Sequence, residues 1–325
     1  MAINLSIDGT APARHRSALL LIPLLIGLAI LALMFLKAPT FFRLNNLINI
    51  LVQTSALGVM AVGMTFVMIG GGIDLSIPAN MAFSAVMGAY VMRALGAAGI
   101  APGMVTMVVV AALIGLFNGT AVAAFGMTPF VVTLATMTVV GGATVWITNS
   151  VSVSGLPNAF FDLVLSRPLG IPLPVILLVV IAAVASVIMS STRFGRALYA
   201  VGLNAKAARV ARVPVGRVLL STYLASGLLA GLAAILLSAR LGSASANLGT
   251  EGVVLDIVSS CVVGGISIYG GSGKPVGAVL GALFIILISN SLNQMGVSFF
   301  INLVVKGIAI IAFIYLDRLT AGSAR

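Results

Sequence analysis

Residues 47–79 read LINILVQTSALGVMAVGMTFVMIGGGIDLSIPA, and the way this stretch divides decides the fold. Leu47 to Ile69 is a continuous, mostly apolar run that supplies the roughly 20 residues a helix needs to cross a bilayer. Three glycines follow, each costing about 1 kcal/mol relative to alanine inside a helix. Pro78 does not continue a helix begun well before it, but it is tolerated in a first turn. The stretch therefore reads as a helix that ends, a break at Gly71 and Gly72, and a new helix beginning near Ile77. Asp74 or Ser76 is placed to cap that new N-terminus near a membrane face, where a carboxylate also meets the positive end of the helix dipole. A functional reading of Asp74 stands beside the structural one, because acids inside membrane segments mark ion or proton pathways.

The same pattern runs from end to end. The 325 residues are 61% hydrophobic and 7% charged, with a mean hydropathy of +1.24, whereas a soluble domain carries roughly 25% charged residues. Candidate spans are Ala18–Leu36, Leu47–Ile69, Ile77–Met92, Met104–Phe125, Phe130–Thr148, Ile171–Met189, Val218–Ala239, Val253–Tyr269, Val276–Leu292 and Phe299–Leu316. The predicted fold is an all-α polytopic transmembrane helix bundle of about ten spans. Residues 18–316 form one membrane domain between an N-terminal tail (1–17) and a C-terminal tail (317–325). A barrel would need short alternating strands, which these runs are not. The single Cys261 and the lone His15 offer no disulfide and no metal cluster, and no nucleophile stands with a base in prospect, so the composition argues against an enzyme.

Basic residues set the topology. With the N-terminus inside and an even number of spans, eleven Lys/Arg fall in the cytoplasm, with both termini, and five (Lys37, Arg43, Arg93, Arg167, Arg240) fall outside. The net charge of +11 is thereby assigned to lipid headgroups and a protein partner rather than to nucleic acid. Much of the excess lies in the loop 190–217, which holds six Lys/Arg and no acid. Within it, Asn204 reads as the N-cap of a short helix AKAARVAR that Pro214 stops, and a two-turn helix is marginal unless it docks on something.

Small residues at four-residue spacing, in GLLAGLAA (Gly227–Ala234) and VGAVLGAL (Val276–Leu283), are a device for close helix packing in lipid. Gly71–Ala89 aligns without gaps on Gly264–Ala282, an internal similarity of the kind found in transporters. Polar uncharged residues in lipid must face one another or a cavity, which makes Asn49, Gln53, Thr54, Asn118, Thr133, Thr136, Ser289, Asn290 and Asn293 candidates for a solute path. Each is equally readable as a helix-to-helix hydrogen bond. Asp256 and Lys306 are membrane-deep charges that either pair or reach a membrane face separately.

Four segments occur in an order that carries a resemblance: GGIDLS (Gly71–Ser76), GLFNGTAVAAFGMTPFVVTLATM (Gly115–Met137), AVGLNAKAARVARVPV (Ala200–Val215) and VVGGISIYGGSGKPVGAVLGAL (Val262–Leu283), with the later VVKGIAII (Val304–Ile311). In them the chain resembles the integral membrane permeases of ABC-type monosaccharide importers, the group of the ribose, xylose, arabinose and galactose permeases. It departs at Leu203 and Arg212, where that family usually carries glycine. The resemblance implies a multi-pass protein of the bacterial inner membrane that moves a monosaccharide or similar small polar solute. It further implies a cytoplasmic ABC ATPase subunit holding ATP and Mg, a periplasmic or extracellular sugar-binding protein, and a second permease copy. The loop 190–217 then supplies the coupling helix, with Gly202, Asn204, Ala207, Ala208 and Arg209 at the matching positions. No cofactor belongs to this chain: GGSGKP has Ile268 where a phosphate loop needs its first glycine, and Pro275 where it needs Ser or Thr. The competing function is an ion-coupled secondary transporter using Asp74 or Asp256.

Overall fold

The computed structural model describes residues 32, 34–36, 38–249, 251–298 and 300–308. The expected first span and both tails lie wholly or largely outside the described residues, as does the second half of the last span. Helix α1 (Leu44–Ile69) ends at the triple glycine, and α2 (Ile77–Leu95) starts with Pro78 in its first turn. A turn at Gly96–Gly99 leads into α3 (Ile100–Ala123), followed by α4 (Pro129–Thr148), the short α5 (Asn158–Val164) and α6 (Leu173–Ser191). The basic segment folds as α7 (Arg193–Leu203) and α8 (Ala205–Val210). Then come α9 (Val215–Leu241), α10 (Glu251–Val263) and α11 (Pro275–Gln294), and residues 300–308 are also helical. Among the described residues, six helical stretches are long and apolar enough to cross a membrane; one of them, Ile77–Ala123, is divided into α2 and α3 by the glycine turn.

α1 is the axis of the bundle. Every residue from Thr54 to Ile69 is buried, with α9, α11, α10 and α6 packed around it. Glycines set how closely the others approach. In α9, Gly227 lies against Ala111 and Gly115 of α3, and Gly231 lies against Met107 and Val108. In α11, Gly277 meets Gly264, and Gly281 meets Ser260 of α10. Both stripes pack as their spacing predicts. The outer faces of α4 and α6 present Val139, Trp146, Val180 and Val187, apolar groups whose only favourable surroundings are lipid or another apolar surface.

Successive long helices alternate in direction, so the bundle has two distinct ends. The C-terminus of α1, the loop 190–217 and the connector 264–274 gather at one, called the basic end here. Arg43, Arg93, Arg167 and Arg240 lie toward the other.

Two expectations change. The span expected over Val253–Tyr269 is a helix of 13 residues, about 20 Å long, against a hydrocarbon core of roughly 30 Å. It stops at Gly265, whose φ of 78° lets its N–H donate to Val262 O and lets Ile266 N–H donate to Cys261 O, both at 2.9 Å. The chain ahead of α10 reaches it through a turn at Ala246–Gly249 that packs Gly249 against Pro78 and Ala79. The glycine break after α1 has the same construction: Gly71 (φ 84°) donates to Met68 O at 2.9 Å and Gly72 to Val67 O at 3.0 Å. The internal similarity is therefore real at these two turns but slips by one residue, Gly71 matching Gly265, and the helices that follow begin at Ile77 and Pro275 after connectors of unequal length.

The second change concerns depth. The sequence places Asp74 near a membrane face, yet its carboxylate touches Ser226, eleven residues along α9 from Val215, or about 16 Å from that helix's start. The segment 70–76 climbs back into the bundle before α2 begins.

Candidate functional site

The basic segment forms an exposed, capped element at one end of the bundle. Asn204 caps α8 as its sequence predicts, Asn204 Oδ1 accepting from Ala207 N–H at 3.0 Å. α8 ends in a motif normally closed by glycine: Arg212 N–H donates to Arg209 O and Val213 N–H to Ala208 O, each at 3.0 Å, with Arg212 at φ 60°. Arginine in this left-handed conformation is strained, and Arg212→Gly is expected to stabilise the turn by about 0.5–1 kcal/mol, read as a roughly threefold slowing of amide exchange at Ala211–Val213.

Of the residues implied for docking, Asn204, Ala207 and Arg209 are exposed, while Ala208 is buried and Gly202 is turned toward the bundle. A methyl group on Gly202 would run into the carbonyl oxygen of Ile69 at the end of α1. The exposed side of the segment instead carries Leu203, 74% exposed, and Val210, 86% exposed, among Lys206, Arg209 and Arg212. Val210 was not singled out from the sequence, where it looks like part of the buried stripe of a small helix, and Leu203 stood out there only as a departure from the family's usual glycine.

Asp74 organises a closed polar network in the bundle interior. Its Oδ1 accepts from Ser76 N–H (3.0 Å) and Ser76 Oγ (2.6 Å), and its Oδ2 accepts from Ser226 Oγ (2.9 Å). Asn118 Nδ2 donates to Ser76 Oγ at 2.8 Å, and Thr136 Oγ1 donates to Asn118 Oδ1 at 2.6 Å. Thr133 Oγ1 donates to Ile73 O at 3.2 Å and to Pro129 O at 3.0 Å. Neither Asp74 nor Ser76 bonds a side-chain oxygen to an amide of α2. Asp74 instead closes a turn over its own chain two residues on and ties the connector to α9, while Ser76 ties it to α3. Asn118, Thr133 and Thr136 are thus engaged in hydrogen bonds between elements, and Thr136 also borders an apolar cavity lined by Leu113, Phe117, Met127 and Val140.

The remaining path candidates separate. Asn290 pairs reciprocally with Asn46 at 3.0 and 3.1 Å, and Gln294 Nε2 donates to Asn46 Oδ1 at 3.4 Å, toward the end of the bundle opposite the basic segment. Asn49 is exposed and accepts from Arg240 Nη2 at 3.4 Å. Thr54 and Ser289 donate to carbonyls of their own helices, Ile50 and Ile285. Gln53 is half-buried on α1 and Asn293 is exposed near the end of α11. Asn46 and Ser226 were missed; an asparagine just before an apolar run and a serine inside a glycine-alanine stripe give no periodic signal. Asp256 and Lys306 do pair, Lys306 Nζ lying 2.8 Å from Asp256 Oδ1. Among the described residues no cluster of His, Cys, Asp and Glu is arranged to hold a metal ion.

Residues 46–314 match the family described as branched-chain amino acid transport system, permease component. The chain is 36% identical over 305 residues to the ribose import permease protein of Escherichia coli (strain K12), covering 90% of this chain and 91% of that one. It is 39% identical over 298 residues to the ribose import permease protein of Bacillus subtilis (strain 168), with the same coverage. It is 35% identical over 299 residues to the D-allose transport system permease protein of Escherichia coli (strain K12), covering 90% of each chain. No solved structure matches.

Proposed function

The chain belongs to this permease-component family, and from that premise we propose that it is the membrane permease subunit of an ATP-driven, binding-protein-dependent importer of a monosaccharide or a similar small polar solute. The relatives named for ribose and allose import support the solute class. The observation that carries the coupling is the exposed basic segment. Its apolar residues Leu203 and Val210 stand in water among three cations, beside a helix too short to be stable alone. A cytoplasmic ATPase subunit with an apolar groove and acidic rim is the partner this surface suits, and it holds the ATP and Mg. The basic end is then cytoplasmic, the Asn46–Asn290 end faces a sugar-binding protein, and a second permease copy completes the path across the bacterial inner membrane.

The test is reconstitution. The tagged permease, purified in mild detergent with the ATPase that accompanies it and placed in liposomes with the cognate binding protein, is expected to accumulate radiolabelled D-ribose or D-allose only when ATP is supplied on the ATPase side. Uptake by the permease alone, driven by an ion gradient, would overturn the reading. Val210→Asp places a carboxylate at the centre of the proposed contact, and recovery of the ATPase with the permease is expected to fall about tenfold or more. Its melting temperature should not move, because Val210 is 86% exposed.

A further inference from the structure

Resting on the importer reading above, we infer that Tyr199 is a positioning residue that fastens the basic segment to both glycine breaks, so that α7, the end of α1 and the connector 264–274 move as one body. Tyr199 Oη donates to Gly273 O at 2.7 Å. The connector in turn caps α1: Gly271 N–H donates at 2.9 Å to Ile69 O, the last carbonyl of that helix. Gly202, three residues along α7 from Tyr199, presses against Ile69 and Gly271 together. Leu198 reaches Gly70, and the side chain of Leu203 lies over Gly271. Two turns of α7 thus grip the end of α1 and the connector at once.

The connector closes one turn of its own, Ser267 N–H donating to Ser272 O at 3.1 Å and Gly270 N–H to Ser267 O at 3.3 Å, and Gly273 lies just beyond it. Gly270, Gly271 and Gly273 all sit at positive φ (88°, 72° and 135°), so no side chain of theirs packs and their local conformational freedom is large. A segment of this kind keeps one conformation when it is held from outside, and the Tyr199 hydroxyl is a directional group that does so. Burial pushes the Tyr199 hydroxyl above its usual range, which keeps it protonated and donating. Pro275 begins α11 two residues beyond the bonded carbonyl. A displacement of α7 by a partner seated on α8 is therefore delivered to two transmembrane helices, α1 through Ile69 and α11 through Gly273.

Hydrogen exchange on the purified permease, alone and bound to its co-purifying ATPase subunit, reads this without knowledge of the solute. In the wild type, docking is expected to slow exchange over 205–211 and also to change it over 267–273. Tyr199→Phe keeps the ring but removes the donor. It is expected to retain the first response, lose the second, and raise basal exchange over 267–273 about fivefold, with an unchanged melting temperature. A wild-type connector indifferent to docking, or a Phe variant that still responds, would overturn the inference; the first of these needs no variant to fold. Absence of any protection over 205–211 would instead bring down the importer reading, and the inference with it.

Discussion

Gly202→Ala is expected to abolish recovery of well-folded permease, whereas Gly216→Ala, in the first turn of α9, leaves it intact. The two glycines look alike in sequence, both flanking the short basic helix. A Cβ at Gly202 would overlap Ile69 O and lie 2.6 Å from Gly271 N, so the methyl group enters the hydrogen bond that caps α1. Neither neighbour is the end of a flexible side chain, and relief requires moving the backbone of α1, the connector or α7. The lost buried hydrogen bond and the overpacking together amount to about 3 kcal/mol or more, a large part of the margin by which a protein is stable. A Cβ at Gly216 meets only Ala123 O, at an ordinary 3.5 Å. There the alanine gains helix propensity, about 0.5–1 kcal/mol. Size-exclusion profiles and melting curves in detergent decide the matter. A Gly202→Ala protein as monodisperse and as heat-stable as wild type would show that the α1 junction is looser than described.

The second large effect is at Asp74. Asp74→Leu leaves three donors, Ser76 N–H, Ser76 Oγ and Ser226 Oγ, without their acceptor in the bundle interior. Each unsatisfied group costs about 1–3 kcal/mol, so the variant is expected to fail in assembly. Asp74→Asn is different in kind. Its amide oxygen still accepts from Ser76, and its NH₂ donates to Ser226 Oγ, a hydroxyl able to accept as well as donate. The Asn variant should therefore assemble normally and keep substantial transport. If it folds but transports nothing, the negative charge itself is needed and the structural account of Asp74 fails.

The punctuation of the helices was legible in the sequence. Triple glycine followed by Pro78 marked the end of α1 and the start of α2, Asn204 marked the cap of α8, and the Gly227 and Gly231 stripe marked a close helix contact, because each of these depends on the backbone preferences of the residues themselves. The concentration of cations in 190–217 was equally plain, and so was the availability of Asp256 and Lys306 to each other.

Depth and direction belonged to the tertiary structure. Nothing in GGIDLS states that Asp74 climbs to the level of Ser226, that Asn118 and Thr136 close upon Ser76 and each other, or that Gly202 faces Ile69 while Val210 faces away. Nor does an apolar run extending to Tyr269 reveal that Gly265 stops α10 after 13 residues. The cause is the solvent. In water, apolar periodicity marks the buried face of a helix; in a bilayer the lipid-facing and core-facing sides are both apolar, and α3 and α4 are hydrophobic all round. The sequence by itself determined the break after α1, the cap of α8 and where the charge lies, whereas only packing decided where α10 stops and which side of each helix is the interior, because that side is defined by the neighbour it meets and not by its own hydropathy.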